Sequence, residues 1–540
     1  MSKVNLPPDL NGVHIHFVGI KGTGMTALAE IIHGSGAVIT GSDVSERFYT
    51  DDILDRLHIK PVPFSDKNIT DDVSFVIYSS AYDPLKNPDL KEAVKRKLPL
   101  MLYSQALGCL SETAYGCAVC GVHGKTTTTG LVGTILMQLP LASQVLAGSE
   151  ITSFGGKCTF TSQRTRSSTK ECSPAAAAST DGTEGGTTNG FPPDVSQAGK
   201  KYFVAETCEY QRHFMDFSPK KIILTSVESD HQDFYPTYED ILNAFVDFIC
   251  KLPAGGQLIY CADDKGAASA ALIAKERRPD IEFIPYGEKA VGGYRLSFGD
   301  LGDGYRNFTV EGIGDFKLYV PGKHLVLNAS AAIALCCELL KDAGLFSRPL
   351  PENLFLSIAK GVSNFTGGRR RSEIVGSVKN KAGNSVIFID DYGHHPTAIK
   401  TTLAGYREFY KGRKIIVDFM SHTYSRTAAL LDDFASSFDS ADEIVLHKIY
   451  ASVRENGKGF ILDGIDLYTL TAKKYKKVYY FREILDAEPF LLEELRSDPG
   501  KEYPSGYLFV TMGAGDNWKI GKKLLEDLRC DAADSVSPKY

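Results

Sequence analysis

Short apolar runs alternate with helical segments along most of this chain. In its first part, apolar runs at residues 13–19, 37–40 and 75–78 alternate with helical patterns at 24–33 and 89–97. Apolar runs of this length, separated by helices, are typical of strands in a parallel sheet covered by helices on both faces. The pattern predicts a parallel α/β unit.

Two further alternations of the same kind follow. The second has predicted strands at residues 115–120, 202–205, 222–226 and 257–261 and a helix at 238–251. The third, from about residue 365, has predicted strands at 385–389, 414–418, 443–446 and 507–511. Both indicate α/β domains, and the third a doubly wound one. From residue 530 the apolar periodicity ends, which predicts a frayed terminus.

The length and these alternations predict three domains. At roughly 100 to 200 residues per domain, a chain of 540 residues divides into residues 1–110, 111–362 and 363–540. Residues 161–200 are crowded with Ser, Thr, Gly, Ala and Pro, so we expect an insertion without a core of its own.

Composition excludes several classes of protein. Hydrophobic residues make up 43% and charged residues 23%, and the net charge is −6, which is typical of a globular protein without a nucleic-acid partner. The start of the chain has no signal-peptide pattern, so we expect a cytoplasmic protein. The uncharged stretch 126–149 is broken by Pro140, which favours a buried helix and strand over a membrane span. The 11 cysteines are an odd number in a long chain and are expected to be reduced.

A glycine-rich turn joins the first predicted strand to the first predicted helix. Gly19, Gly22 and Gly24 have the spacing of a dinucleotide-binding turn, and Asp43 lies near the end of the next strand. Such glycines let the backbone approach a diphosphate at the helix N-terminus, and the acidic residue can hold a ribose hydroxyl. The motif alone indicates a diphosphate ligand, whether NAD, FAD or a UDP-sugar.

A phosphate-loop pattern follows the strand at 115–120. It consists of Gly121, Val122, His123, Gly124, Lys125, Thr126 and Thr127. The loop amides would cradle phosphate oxygens, Lys125 would place its charge against the transferring phosphoryl group, and the Thr126 hydroxyl would bind Mg²⁺. The strict pattern has Gly two residues before Gly121, where this chain has Val119.

Polar clusters follow other predicted strands. Glu206 and Glu209 come after the strand at 202–205, and Asp230 and His231 after the strand at 222–226. Side chains at the carboxyl ends of these strands are placed to hold divalent cations beside the phosphates. For each residue alone, a helix cap or a salt bridge is an equally good interpretation.

The third predicted domain carries two polar clusters and an arginine run. The clusters are residues 390–397 and 422–427, each close after a strand, and the run is Arg369, Arg370 and Arg371. Near an ATP site, arginines serve as a phosphate clamp. Taken singly, paired histidines before a proline are typical of a helix cap.

Together these motifs resemble the Mur ligases over nearly the whole chain. The resemblance is carried by residues 19–25, Ser79, Ser80 and Ala81, residues 121–129, Glu206, Asp230, His231, residues 322–324, Asn328, Arg370, Arg371, and residues 390–397, 422–427 and 512–516. It implies a Rossmann-like N-terminal domain, a central P-loop ATPase-like domain and a C-terminal doubly wound Rossmann-like domain.

The resemblance also implies substrates and residue roles. The N-terminal domain would bind UDP-N-acetylmuramate, and the enzyme would join L-alanine to its carboxylate with ATP and Mg²⁺. By that resemblance Glu206 and His231 join Thr126 as Mg²⁺ ligands, Asn328, Arg371 and Asp390 contact ATP, and His394 and Arg426 position substrate. We expect a monomer or homodimer.

Some residues depart from the family pattern, and two other functions stay open. Leu325 stands where the family has Asn, Val122 where it has Thr and Thr423 where it has Arg, and residues 205–210 are less acidic than usual. A ligase that attaches a preformed peptide to the same nucleotide sugar shares these motifs. An NAD-dependent oxidoreductase would explain the first glycine turn and leave the phosphate loop and third domain without a role.

Overall fold

The structure is a computed structural model that describes residues 4–162, 200–451, 455 and 462–536. Most of the predicted insertion, residues 163–199, lies outside the described residues. The described chain folds into three α/β units, each built on its own sheet.

The first unit contains a four-stranded parallel sheet in the order β2-β1-β3-β4. Its strands are β1 (His14–Val18), β2 (Val38–Ser42), β3 (Phe75–Tyr78) and β4 (Leu100–Leu102). Its helices are α1 (Thr23–Gly34), α2 (Thr50–Arg56), α3 (Pro88–Lys95) and α4 (Tyr103–Glu112). Asn87 caps α3 through its side chain, and Pro88 occupies the first turn, where its missing N–H costs nothing.

The second unit is a ten-stranded sheet in the order β14-β13-β12-β11-β10-β9-β5-β8-β6-β7. Its strands are β5 (Tyr115–Cys120), β6 (Ser143–Ile151), β7 (Lys157–Thr161), β8 (Tyr202–Glu206), β9 (Lys221–Leu224), β10 (Gln257–Cys261), β11 (Glu282–Gly287), β12 (Tyr294–Leu301), β13 (Arg306–Val310) and β14 (Gly314–Leu318). Its helices are α5 (Lys125–Leu136), α6 (Tyr238–Ile249), α7 (Lys265–Arg277), α8 (Lys323–Asp342) and α9 (Glu352–Ser363).

The third unit is a six-stranded sheet in the order β15-β16-β20-β17-β18-β19, parallel except at β15. Its strands are β15 (Glu373–Lys379), β16 (Ser385–Asp391), β17 (Arg413–Phe419), β18 (Glu443–Leu446), β19 (Val478–Tyr480) and β20 (Gly506–Met512). Its helices are α10 (Pro396–Phe409), α11 (Tyr424–Ala429), α12 (Leu431–Phe434), α13 (Gly464–Ala472), α14 (Glu488–Arg496) and α15 (Trp518–Val536).

Every strand predicted from the apolar runs is present, which confirms the α/β fold class. Central strands such as β5 and β20 are mostly apolar and almost entirely buried because helices cover both faces of the sheets. The stretch 126–149 is the predicted helix and strand, α5 and β6. The prediction of a terminus frayed from residue 530 is wrong for residues 530–536, since α15 continues to Val536, and residues 537–540 lie outside the described residues.

Helix α8 is the one helix in the described part of the chain that is long and apolar enough to cross a membrane. It is 83% buried along its apolar window, and it packs against α5 and strands β10 to β12. Burial against the central sheet explains its composition, because a helix that is apolar all round is one enclosed by the protein core.

A buried ion pair in the third unit makes its stability depend on pH. His447 Nε2 lies 2.8 Å from Asp418 Oδ2, and His447 Nδ1 lies 2.8 Å from the Phe481 carbonyl, with both side chains fully buried. Burial alone would lower the pKa of His447, but the Asp418 carboxylate outweighs it and raises the pKa above its ordinary value. The pair therefore contains a protonated ring held between two acceptors.

We expect the free energy of unfolding of the third unit to fall as pH rises above neutrality. A raised folded pKa gives stability that is fully present below the unfolded value of about 6.5 and is lost as pH rises through the folded value. Guanidinium unfolding monitored by the single tryptophan, Trp518 in α15, checks this. Asp418→Asn should remove the pH dependence at a cost of about 3 kcal/mol. Glu483→Gln, which breaks the exposed pair with Lys448, should change stability by less than about 1 kcal/mol.

Candidate active site

The phosphate-loop residues connect β5 to α5 in the conformation that the motif predicts. Gly121 and Gly124 have φ values of +132° and +79°. A Cβ on Gly121 would lie 2.1 Å from Thr225 Oγ1, and one on Gly124 would lie 2.6 Å from Asn328 Oδ1. Both positions therefore require glycine, because the positive φ is unfavourable for other residues and because there is no space for a Cβ atom. The result is a close-fitting loop at a helix N-terminus, where amide groups and helix dipole favour an anion.

Neighbouring strands hold this loop in place. The Val122 amide donates to the Ser226 carbonyl over 3.0 Å, and the His123 amide donates to Ser226 Oγ over 2.9 Å. Thr225 Oγ1 donates to the carbonyls of Cys120 and His123. Strand β9 lies beside β5 in the sheet, so the residues that follow β9 reach the loop directly.

Lys125 forms a buried ion pair with Glu209. Its Nζ lies 2.9 Å and 3.1 Å from the two carboxylate oxygens and donates to the Gly121 carbonyl over 2.6 Å. The exposed fractions of the two side chains are 15% and 3%. Burial works against both charges, but mutual attraction outweighs it: the pKa of Lys125 is raised and that of Glu209 is lowered to about 2.

The predicted metal ligands border the same space. Thr126 follows Lys125 in α5, and the Gly148 amide donates to Glu206 Oε2 over 2.7 Å. His231 Nε2 lies 3.3 Å from Glu209 Oε1, and its backbone has a φ of +55°, which is strained for a non-glycine residue. Oxygen and imidazole groups around a phosphate loop fit Mg²⁺ beside a phosphate. The structure adds Glu209, whose role as partner of Lys125 the sequence left open.

Contacts between the second and third units close one side of this space. Arg426 Nε and Nη2 each lie 2.9 Å from Asp230 Oδ1, and both side chains are buried. Burial raises the pKa of Asp230, but His231 and Arg426 outweigh it and lower the pKa well below its usual range. Arg426 Nη1 is buried and makes no hydrogen bond within the described residues.

His394 and His395 follow β16, and their side chains form hydrogen bonds with different residues. His394 Nδ1 lies 2.8 Å from the Tyr392 carbonyl, so this nitrogen donates and Nε2 is left as an acceptor. Burial, reinforced by Arg426, holds the pKa of His394 well below its ordinary value. The ring is therefore neutral at pH 7. His395 caps α10 and contacts the Ser229 carbonyl of the second unit.

Arg370 and Arg371 are neighbours in the sequence, as are Asp390 and Asp391, but the two members of each pair have different environments. Arg370 Nε lies 2.8 Å from Asp390 Oδ2, and its two Nη atoms donate to the carbonyls of Gly513 and Gly515. Neither residue belongs to the cleft lining in the described chain, whereas Arg371 and Asp391 do. In this structure Arg370 and Asp390 contact each other and the neighbouring backbone, and their contact with nucleotide stays a prediction.

A single cleft contains most of these groups. Its volume is about 450 Å³, and Gly124, Lys125, Thr126, Thr127, Glu206, His231, Asn328 and Arg371 line it together with His123 and His394. Arg426 contacts Asp230, which lines the cleft. Sequence reasoning missed Glu228 and gave Asp391, a member of the 390–397 cluster, no role of its own; both also line the cleft. Each is close in sequence to a residue that was singled out, and this proximity could have identified both as site residues.

The first glycine turn lies in the first unit, away from this cleft. Gly19 has a φ of +84°, and a Cβ there would lie 2.6 Å from the Tyr82 ring; one on Gly24 would lie 2.9 Å from the Tyr103 ring. Asp43 accepts from the Lys21 and Val44 amides and from the Tyr82 hydroxyl. Its carboxylate thus anchors the turn.

Gly22 and the serines complete the first-unit motif. Gly22 precedes α1 as its N-cap, and Ser79 and Ser80 follow the end of β3 and are half-buried. Since β3 pairs with β1 in parallel, these serines and the glycine turn share the carboxyl edge of the sheet. That edge is the usual ligand-binding side of such a sheet.

Three family models match consecutive parts of the chain. They are the Mur ligase family catalytic domain at residues 14–115, the Mur ligase middle domain at 119–336, and the Mur ligase glutamate ligase domain at 370–496. Each falls mainly on one of the three units described above, although strand β20 (Gly506–Met512) lies beyond the last match.

Curated relatives match nearly end to end. The UDP-N-acetylmuramate–L-alanine ligase of Treponema pallidum is 44% identical over 97% of this chain and 98% of its own length. The protein of the same name from Desulfitobacterium hafniense is 35% identical over 95% of this chain and 99% of its own length.

Solved structures share the fold. The UDP-N-acetylmuramate–alanine ligase of Thermotoga maritima has a TM-score of 0.68 at 22% identity, covering 96% of this chain and 99% of that one. A murein peptide ligase of Psychrobacter arcticus has a TM-score of 0.59 at 20% identity with the same coverage. With three family models and relatives of this identity along its length, the chain belongs to the Mur ligase family.

Proposed function

We propose that this protein joins L-alanine to the carboxylate of UDP-N-acetylmuramate at the expense of ATP, the step that adds the first amino acid of the peptidoglycan stem peptide. The supporting observation is the glycine-cradled Lys125 beside Glu206 and His231 in the cleft. The named activity of relatives that are 44% and 35% identical supports the choice of substrate. A ligase for a preformed peptide is less favoured, because the peptide ligase from Psychrobacter arcticus resembles the chain in fold alone.

The phosphate loop would bind the ATP phosphates. A γ-phosphate arriving at Lys125 competes with Glu209 for the ammonium group, which neutralises the charge that develops as the muramate carboxylate attacks phosphorus. The bond to ADP breaks, and an acyl phosphate forms. Mg²⁺ held by Thr126, Glu206 and His231 would supply further charge neutralisation.

The third unit would deliver the amino acid. His394 Nε2, an acceptor on a neutral ring, can hold the alanine amine as it attacks the acyl carbonyl and releases phosphate. Arg426 Nη1, buried without a hydrogen-bond partner in the described residues, can receive the alanine carboxylate. The contacts of Asp230 and His395 across the two units keep water from the acyl phosphate.

The first unit would bind the nucleotide sugar at the edge formed by Gly19, Gly22 and the serines Ser79 and Ser80. We propose an enzyme of the cytoplasm that works on small-molecule substrates as a monomer or homodimer. Nothing in this assignment requires NAD.

Purified protein with ATP, Mg²⁺ and UDP-N-acetylmuramate should release phosphate when L-alanine is added. Glycine and L-serine should act more weakly, by on the order of tenfold to a few hundredfold, because a pocket for one methyl group discriminates poorly against such neighbours. A phosphate-release assay with kcat/KM for each amino acid measures this. Release that required a preformed peptide would favour the peptide ligase, and NADH oxidation without ATP consumption would overturn the proposal.

A further inference from the structure

Two histidines and a glutamate meet in the cleft, apart from the residues assigned to Mg²⁺. His123 Nε2 lies 3.3 Å from Glu228 Oε2, and His395 Nδ1 lies 3.6 Å from the same oxygen. All three ligand atoms lie within 4.8 Å of one another. We propose that His123, Glu228 and His395 form a binding site for a transition-metal dication such as Zn²⁺, which bridges the central and C-terminal domains.

The distances suit a tetrahedral ion. With metal–ligand bonds of about 2.0 to 2.2 Å, neighbouring ligand atoms of a tetrahedral site lie roughly 3.3 to 3.6 Å apart. Two of the three distances between ligand atoms, those from Glu228 Oε2 to His123 Nε2 and to His395 Nδ1, already have this length. The third distance, between the two imidazole nitrogens, is at most 4.8 Å, and the ring centroids are also 4.8 Å apart. The fourth position is left to water or a substrate oxygen, because all three residues line the cleft.

The hydrogen bonds of His395 place an unprotonated nitrogen toward Glu228. Its Nε2 lies 3.3 Å from the Ser229 carbonyl, which only accepts, so Nε2 carries the hydrogen and Nδ1 carries the lone pair. That lone pair faces the Glu228 carboxylate oxygen, and it also accepts from the Thr397 amide over 3.4 Å as the cap of α10. A cation between the two acceptors would take the place of this long hydrogen bond. A backbone carbonyl on the second ring nitrogen is also the usual orienting contact of a metal-bound histidine.

The carboxylate is oriented as well. Thr397 Oγ1 donates to Glu228 Oε2 over 2.9 Å, and metal-bound carboxylates are commonly held in this way. His123 is fixed by the bond of its own amide to Ser226 Oγ. The ligands therefore come from well-held segments.

Ligand chemistry separates this cluster from the Mg²⁺ position. Two imidazoles favour Zn²⁺, Cu²⁺, Ni²⁺ or Co²⁺, whereas Mg²⁺ prefers oxygen ligands. His123 and Glu228 belong to the second unit, and His395 begins α10 of the third. A bound ion would therefore fix the third unit against the phosphate loop. This inference does not depend on the reaction proposed above.

Titration of the metal-free full chain with Co²⁺, without ATP or Mg²⁺, tests the proposal. We expect one Co²⁺ per chain with the visible absorption of a four- or five-coordinate ion, displaced by Zn²⁺. Glu228→Gln and His395→Gln should each weaken binding by at least about tenfold. The matched control, His231→Gln, should retain a tight Co²⁺ site, since it removes no ligand of the cluster and no contact that orients one.

The result can contradict the proposal in two ways. Absence of the absorption bands, or binding that is equally tight in Glu228→Gln and His395→Gln, would show that the cluster binds no metal. Loss of binding in His231→Gln alone would place the ion at the Mg²⁺ position. Circular dichroism shows whether each variant is folded. Because the two ligand substitutions are independent, the test can rest on one of them if the other variant does not fold.

Discussion

Lys125→Ala should lower ATP-dependent ligation by about a thousandfold, within the range of roughly 10² to 10⁵ that removal of one charge-stabilising group costs such reactions. Its Nζ is held 2.6 Å from the Gly121 carbonyl, inside the glycine cradle, where we propose that the transferring phosphoryl group binds. Steady-state phosphate release measures kcat/KM. Lys476→Ala, which removes an exposed lysine elsewhere, should have wild-type activity.

The same substitution should also destabilise the protein, because Glu209 would keep a buried carboxylate without its main partner. The expected cost is about 3 kcal/mol, since removing one member of a buried ion pair leaves an uncompensated charge. Lys125→Ala combined with Glu209→Gln should recover most of this stability and remain inactive. Such a double variant separates the chemical role of Lys125 from its structural role, and recovery of activity would contradict the phosphate-loop assignment.

The Lys125–Glu209 pair also has a pH signature. Lys125 and His231 depress the folded pKa of Glu209 to about 2 against an ordinary value of 4.5, in spite of burial, which raises it. A depressed carboxylate pKa gives stability that is present above the ordinary value and is lost as pH falls from about 4.5 toward 2. Glu209→Gln should flatten acid unfolding in this window, measured by circular dichroism.

The phosphate loop was predictable because its chemistry is local. Gly121, Gly124 and Lys125 lie within five consecutive residues between a strand and a helix, and backbone angle and space at the two glycines follow from that context. The parallel sheets were predictable for a similar reason, since apolar runs of strand length identify strands buried on both faces.

Pairings between distant segments were not predictable. Glu209 lies 84 residues from Lys125 in the sequence, and Arg426 lies 196 residues from Asp230. Strand order brings these residues together, and one sequence without an alignment does not fix that order. The sequence therefore named the residues of each cluster without their partners.

Adjacent residues of like chemistry were equally hard to separate. Arg370 and Arg371 differ by one position, yet Arg370 is used by Asp390 and two carbonyls while Arg371 lines the cleft. The direction of each side chain depends on the turn before β15, where Arg370 has a φ of +54°. The partners of Asp43 were likewise not predictable: its carboxylate accepts from the Lys21 amide and the Tyr82 hydroxyl, and its contact with a ribose hydroxyl stays a prediction.

Arg426→Ala should lower kcat/KM for L-alanine by about a hundredfold or more. Truncating one partner of a buried, hydrogen-bonded charge pair costs about 2 to 5 kcal/mol, and each 1.4 kcal/mol is about tenfold. Two functions of Arg426 contribute to this loss. Its Nε and Nη2 tie the third unit to Asp230, and its Nη1 is the group that we propose for the amino-acid carboxylate.

Two milder variants separate these functions. Arg426→Lys keeps the charge and loses the planar fork, so it should raise the KM for L-alanine by about ten- to a hundredfold. Asp230→Asn keeps Arg426 intact and weakens the contact between the units, so it should lower kcat for every amino acid substrate and raise the KM for L-alanine less. The split between KM and kcat in the two variants is the measurement. If both variants changed KM and kcat in the same proportion, Arg426 would act through domain closure alone, and the alanine carboxylate would have to bind elsewhere in the cleft.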